Sequence, residues 1–142
     1  GDGPYGRERA FYGQLLENRN MLTTNAIARL MHAIVGGVAV TATRSQEMMD
    51  VMKRSLNPEE LPKDVEEDQV TGFLGGSLPQ SAKIWSKAGW TSSVFHDAAY
   101  IEIPDKRPYL LIVFTEGKVN AKSREILPFV SGKFMVAVCS LD

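Results

Sequence analysis

Six consecutive apolar residues, Tyr109-Leu110-Leu111-Ile112-Val113-Phe114, constrain this chain more than any other feature. A strand sends alternate side chains to opposite faces, so a run without a polar residue offers apolar surface on both. Such a strand belongs inside a sheet with helices packed on it. It also calls for a neighbour along each edge, because an exposed apolar edge is a template for aggregation. Two extended segments precede it, Lys83–Trp90 and Asp97–Ile103. In the second, Ala99, Ile101 and Ile103 share one face while Tyr100 and Glu102 share the other. Pro104-Asp105-Lys106-Arg107 turns the chain into the strand Tyr109–Thr115. These make three antiparallel strands, and no further strand of this chain is left to lie beside the third. Either another polypeptide completes the sheet or an apolar edge stands open.

The first half of the chain reads as helical. Ile27, Leu30, Met31 and Ile34 fall at i, i+3, i+4 and i+7, one face of a helix. Thr23 or Thr24 supplies its N-cap oxygen, and Gly36-Gly37 ends it. Thr43-x-x-Gln46 has the form of a capping box for a second helix carrying Met48, Met49, Met52 and Leu56. Asn57-Pro58 stops that helix. Its methionines read as core packing before they read as a pliable groove. Residues 1–20 read as a loop anchored by Phe11, Tyr12, Leu15 and Leu16. Residues 57–80, acidic and then rich in Gly and Pro, read as a long surface connection with a helical turn near Glu59–Leu61. Asn120 is placed to cap a last helix bearing Ile126, Leu127, Val130, Phe134 and Val138, with Pro128 delaying its start or kinking it. The expected organisation is one α+β domain: a loop over 1–20, a helical part over 21–80, then antiparallel strands packed with a helix over 81–142.

Composition narrows the function classes. With 16 Lys+Arg against 17 Asp+Glu in 142 residues, no excess of cation exists to displace counterions from a nucleic acid. The single cysteine, Cys139, cannot close an internal disulfide. The apolar run is far shorter than the roughly 18 residues of a membrane span, and no basic-then-apolar leader opens the chain.

Several residues invite a chemical reading. His96-Asp97 looks like the orienting half of a triad, yet adjacent strand residues face opposite ways, which favours a structural role. His32 has no partner at ligand spacing, and two His with one Cys make a metal site or other cofactor unexpected. Nothing basic stands near Cys139 to activate its thiol. The acidic run 64–68 reads as a solvated face. Lys87 is different: it lies near a strand end, with Gly89 two residues on, where a ligand or another backbone could approach closely. A strand edge with a cation and free N–H groups can hold an acyl substrate bearing a carboxylate.

The text from Lys87-Ala88-Gly89-Trp90-Thr91 through His96-Asp97-Ala98-Ala99-Tyr100-Ile101-Glu102-Ile103-Pro104-Asp105 to Tyr109–Gly117 resembles the C-terminal part of class A β-lactamases and their β-lactamase-like serine hydrolase relatives. Asn20–Asn25, Leu30-Met31 and Arg44–Met49 are similar to the helices that precede that part in the family. The resemblance implies that Lys87 is the lysine of the Lys-Thr-Gly motif, which helps bind the substrate carboxylate and tunes proton transfer. Ala88 stands where that motif has Thr or Ser, Gly89 matches its glycine, and Trp90 holds the position whose N–H is half of the oxyanion hole. Thr91 follows as a further substrate-side residue. No Ser-x-x-Lys nucleophile motif occurs in these 142 residues, and no Glu-x-x-Leu-Asn segment does either; Ser55-Leu56-Asn57 has the form of the second motif but stands too near Lys87.

By resemblance this is half of a fold about twice as long, whose other half supplies the strands missing beside Tyr109–Phe114. The implied partners are that N-terminal half, or a second copy through the third strand, and a β-lactam or peptidoglycan-like substrate. The implied location is periplasmic or extracellular. The alternative is a non-catalytic binding or assembly module, which the missing hydroxyl at Ala88 favours.

Overall fold

A computed structural model describes residues 6–15, 17 and 20–141. Its elements are α1 (Gly6–Tyr12), α2 (Thr24–Val35), α3 (Ala42–Met52), β1 (Lys53–Arg54), β2 (Lys83–Trp90), β3 (Val94–Glu102), β4 (Tyr109–Glu116), α4 (Lys118–Lys122) and α5 (Ile126–Cys139). Short 3-10 turns cover Pro58–Glu60 and Leu74–Ser77. The strands form one antiparallel sheet in the order β1-β2-β3-β4, in keeping with the α+β expectation.

The register sorts the side chains. Ile84, Ser86 and Ala88 of β2 lie opposite Ile101, Ala99 and Asp97 of β3, and these lie opposite Tyr109, Leu111 and Val113 of β4. All of them project from one face, the core face, onto which Phe73, Leu74 and Leu127 pack. Trp85, Lys87 and Gly89 project from the other, together with His96, Tyr100 and Leu110. Helices α2 and α3 pack on part of that second face. The apolar run Tyr109–Phe114 of β4 is therefore used on both sides, as the sequence requires. Its far edge has no strand beside it among the described residues.

Helix α2 begins as read: the Thr23 hydroxyl accepts from Ala26 N–H at 3.1 Å, and Gly37 takes φ 75° just past the end. The start of α3 differs. Thr41, not Thr43, is the N-cap, its hydroxyl accepting from Arg44 N–H at 3.1 Å, while Gln46 bonds forward to Asp50. The helix stops at Met52 because Lys53 turns extended to pair with Trp85, so sheet pairing wins over the helical period that reached Leu56. Asn57 caps the following 3-10 turn instead of ending α3, its side chain accepting from Glu59 N–H at 3.1 Å. The methionines of α3 are only half-buried; Ser45 is its buried residue, bonded to Ala39 through both N–H and C=O.

Four expectations fail further. The segment read as an N-terminal loop contains α1, whose Arg and Ala residues favour a helix; Phe11 and Leu15 are 85% and 89% exposed and anchor nothing, and Leu16 lies outside the described residues. The connection over 57–80 is not all surface: Val70, Phe73 and Leu74 are buried, Leu74 completely. Asn120 sits inside α4 and bonds to the Glu116 carbonyl, and α5 begins without a side-chain cap. Pro128 neither delays nor kinks α5, because it falls in the first turn, where an N–H has no helical partner.

The Leu74–Ser77 turn joins these parts. Leu74 N–H donates to Asp97 Oδ2 at 3.1 Å, and its carbonyl accepts from the buried Ser131 hydroxyl of α5 at 2.6 Å. A Cβ at Gly76 would stand 2.1 Å from the Thr71 carbonyl oxygen, so the turn closes only with glycine there. Gly76→Ala is expected to cost about 1–2 kcal/mol. Urea denaturation checks this, and an unchanged midpoint would mean that the turn is free to shift.

Candidate functional site

Strand β2 owes its place to alternation: Ile84, Ser86 and Ala88 are buried, while Lys83, Lys87 and Gly89 are exposed. Beyond Ile84 and Trp85, where β1 pairs, residues 86–90 have no strand on their outer side among the described residues. The direction of their backbone groups follows from two hydrogen bonds. Thr91 N–H donates to the Val94 carbonyl at 2.9 Å across the β2–β3 turn. Arg54 Nη2 donates to the Ser86 carbonyl at 3.2 Å from the opposite side. Bonded positions alternate in an antiparallel ladder, so the N–H and C=O groups of Ser86, Ala88 and Trp90 point outward, away from β3.

Each sequence-selected residue has a definite place on this edge. Lys87 is exposed on the face opposite the core, and its ammonium donates to the outward Ala88 carbonyl. The Ala88 side chain is buried opposite Asp97, so this residue offers the site its backbone only. A Cβ at Gly89 would meet no atom within 4 Å, so the surface above it is open to a ligand. Trp90 is 39% exposed, its ring 5.7 Å from that of Phe73, and its N–H faces the free edge. Thr91 closes the turn: its hydroxyl accepts from Ser93 N–H at 3.2 Å and Val94 N–H at 3.3 Å.

His96 and Asp97 lie on opposite faces, as their adjacency requires. His96 faces Gly89 across the ladder, stacks on Phe114 with ring centroids 4.3 Å apart, and accepts at Nδ1 from Thr115 N–H at 3.1 Å. Its Nε2 therefore carries the proton of the neutral ring. Asp97 is 1% exposed, and its carboxylate accepts from Leu74 N–H and, at 2.9 Å, from Ala98 N–H. Burial pushes its carboxyl up to about 6, against the opposing pull of those two donors and of the Arg54 and Lys87 charges. His32 is exposed on α2, Cys139 is half-buried in the last turn of α5, and the acidic run is exposed up to Asp68. Among the described residues no three His, Cys, Asp or Glu are grouped to hold a metal ion, and no helix is long and apolar enough to cross a membrane.

Sequence reasoning missed two contributors. Arg54 gives no signal in the chain, yet it holds the Ser86 carbonyl and also donates to Gln69 at 3.2 Å. Phe73 stacks on Phe95 at 4.4 Å and supports Trp90; only the Phe-Leu pair between glycines could have drawn attention to it.

A profile of the beta-lactamase enzyme family matches residues 7–131. No curated protein matches by sequence. Solved structures with the same fold include a beta-lactamase from Sphaerobacter thermophilus DSM 20745, at TM-score 0.62 and 18% identity over 80% of this chain and 39% of that one. A PBP-A variant in an acyl-enzyme complex with penicillin G matches at TM-score 0.64 and 19% identity, over 85% of this chain and 41% of that one. An ancestral class A beta-lactamase matches at TM-score 0.65 and 22% identity, over 84% and 43%. The chain thus spans less than half the length of these three structures.

Proposed function

This chain belongs to the beta-lactamase enzyme family, and from that premise we propose that it is the C-terminal half of a serine acyl-transfer domain. In the complete domain a serine attacks an amide-like carbonyl and forms an acyl-enzyme, which water then hydrolyses. The observation that carries this reading is the free outer edge of β2, which sets the Lys87 ammonium and the outward Trp90 N–H beside the open surface over Gly89. Trp90 N–H is one donor of an oxyanion hole, stabilising the charge that develops on the attacked carbonyl. Lys87 binds the substrate carboxylate and favours proton transfer near the nucleophile. Ala88 and Thr91 contribute backbone and turn geometry and no substrate-facing hydroxyl, which weakens carboxylate binding relative to a Thr or Ser at position 88.

No Ser-x-x-Lys segment occurs in these 142 residues, so the nucleophile and its lysine base come from a segment beyond them, and this half alone is inactive. The substrate class is a β-lactam or a peptidoglycan-like peptide. The bare edge of β4 and the exposed Phe129, Phe134 and Val136 of α5 fit a covering half of the same fold, or a second copy in its absence. A second reading, a non-catalytic binding module, draws on the alanine at position 88.

Labelling by a fluorescent penicillin in the complete protein separates the two. Lys87→Ala is expected to slow acylation at least about tenfold, equivalent to about 1.4 kcal/mol of transition-state stabilisation. Equal labelling of the variant and the parent would remove Lys87 from the catalytic role. No labelling of the parent would favour the binding module.

A further inference from the structure

Apart from the Tyr109 and Thr115 hydroxyls of β4, the polar groups on the core face of the sheet lie along one diagonal. Arg54 of β1 pairs with Ile84 and so projects from that face; Ser86 lies one bonded position further along β2, and Asp97 lies diagonally beyond it on β3. Ser86 and Asp97 are 0% and 1% exposed. Arg54 Nε and Ser86 Oγ are buried without a hydrogen-bond partner among the described residues. Buried polar groups of this kind are costly, and a costly line across a core is retained where it fixes one arrangement among several. Its position is specific. It runs directly under residues 86–90, the stretch of β2 with no strand on its outer side, and Arg54 reaches around to hold the Ser86 carbonyl from there.

We infer that Arg54, Ser86 and Asp97 act as one buried polar line that holds the free edge of β2 in place, which makes Arg54 a positioning residue for Lys87 and Trp90. Arg54 grips the edge through the Ser86 carbonyl and the preceding loop through Gln69, and its charge favours the ionised form of the Asp97 carboxyl. Asp97 in turn is tied to the Leu74 turn, so the edge is referenced to the packed core instead of hanging from β3 alone. The significance of that edge rests on the function proposed above; the existence of the line does not.

Arg54→Gln in the complete protein tests it, read by carbon-detected titration of the Asp97 carboxyl and by amide exchange. The charges acting on Asp97 are those of Arg54 and Lys87. Removing the first should move the Asp97 midpoint upward by about half a pH unit or more. The Lys87 and Gly89 amides, which face β3, should exchange at least about tenfold faster, with those between β3 and β4 unaffected. Arg54→Lys should restore the midpoint, since it keeps the charge, but not the exchange protection, since it loses the guanidinium fork. An unmoved midpoint or unchanged exchange would overturn the inference. If Arg54→Gln fails to fold, the double substitution Arg54→Gln/Asp97→Asn decides: recovery of folding supports the coupling, and equal failure refutes it. Failure of the hydrolase reading would look different, as absent penicillin labelling of the parent with these responses intact.

Discussion

Phe95→Ala is expected to remove about 3–5 kcal/mol of stability, the largest single loss available in this fold. The ring is 1% exposed and stacks on Phe73 at 4.4 Å, with the Arg124 guanidinium 4.3 Å from its centroid and 5.9 Å from that of Phe73. It lies opposite Trp90 at the end of the ladder, so its removal opens a cavity where the Leu74 turn, β2 and β3 meet. A domain of this size has about 5–15 kcal/mol in all, and the variant should show a sharply lowered urea midpoint or no cooperative transition. Phe95→Leu, which keeps most of the volume, should lose much less. A loss under about 1 kcal/mol for the alanine variant would mean that the ring cluster is not packed as described.

The second large effect is a pH dependence. The Asp97 carboxyl titrates near 6 in the folded protein, above its ordinary value of 3.8. The folded state therefore holds this proton more tightly than the unfolded chain does. The stability linked to Asp97 is complete below about pH 4 and is lost as pH rises through 6. The two-unit difference corresponds to about 2–3 kcal/mol. Asp97→Asn is neutral throughout, and its one carbonyl oxygen can keep one of the two N–H donors. The stability difference between parent and variant should thus shift toward the variant as pH goes from 4 to 7.5. Urea unfolding at several pH values measures it. A difference that stays flat, or shifts toward the parent, would show that Asp97 is charged at no cost.

The sheet was legible because its determinants are local: the alternation in 97–103 and the unbroken run 109–114 fix which faces are covered. The α2 termini were legible for the same reason, since Thr23 and Gly36-Gly37 act on adjacent backbone groups. What was hidden depends on partners distant in the chain. Two residues, Lys53 and Arg54, leave a helical pattern only because Trp85 and Ile84 are there to pair with. Phe73 and Leu74 have no period of their own and are buried by β3 and α5. At the site, Lys87 and Gly89 stood out by residue type. The free edge did not, because it depends on how far β1 extends, and Arg54 owes its role to a carbonyl 32 positions away.

Gly89 has a longer-term consequence. The even-numbered residues of β2 answer to the core and the odd-numbered ones do not, and at Gly89 an added Cβ would meet no atom within 4 Å among the described residues. Selection for folding and selection for ligand preference thus act on interleaved letters of one strand. A lineage carrying this strand can try side chains at 87 and 89 while 84, 86 and 88 stay fixed, and so change what it accepts without first having to regain its fold.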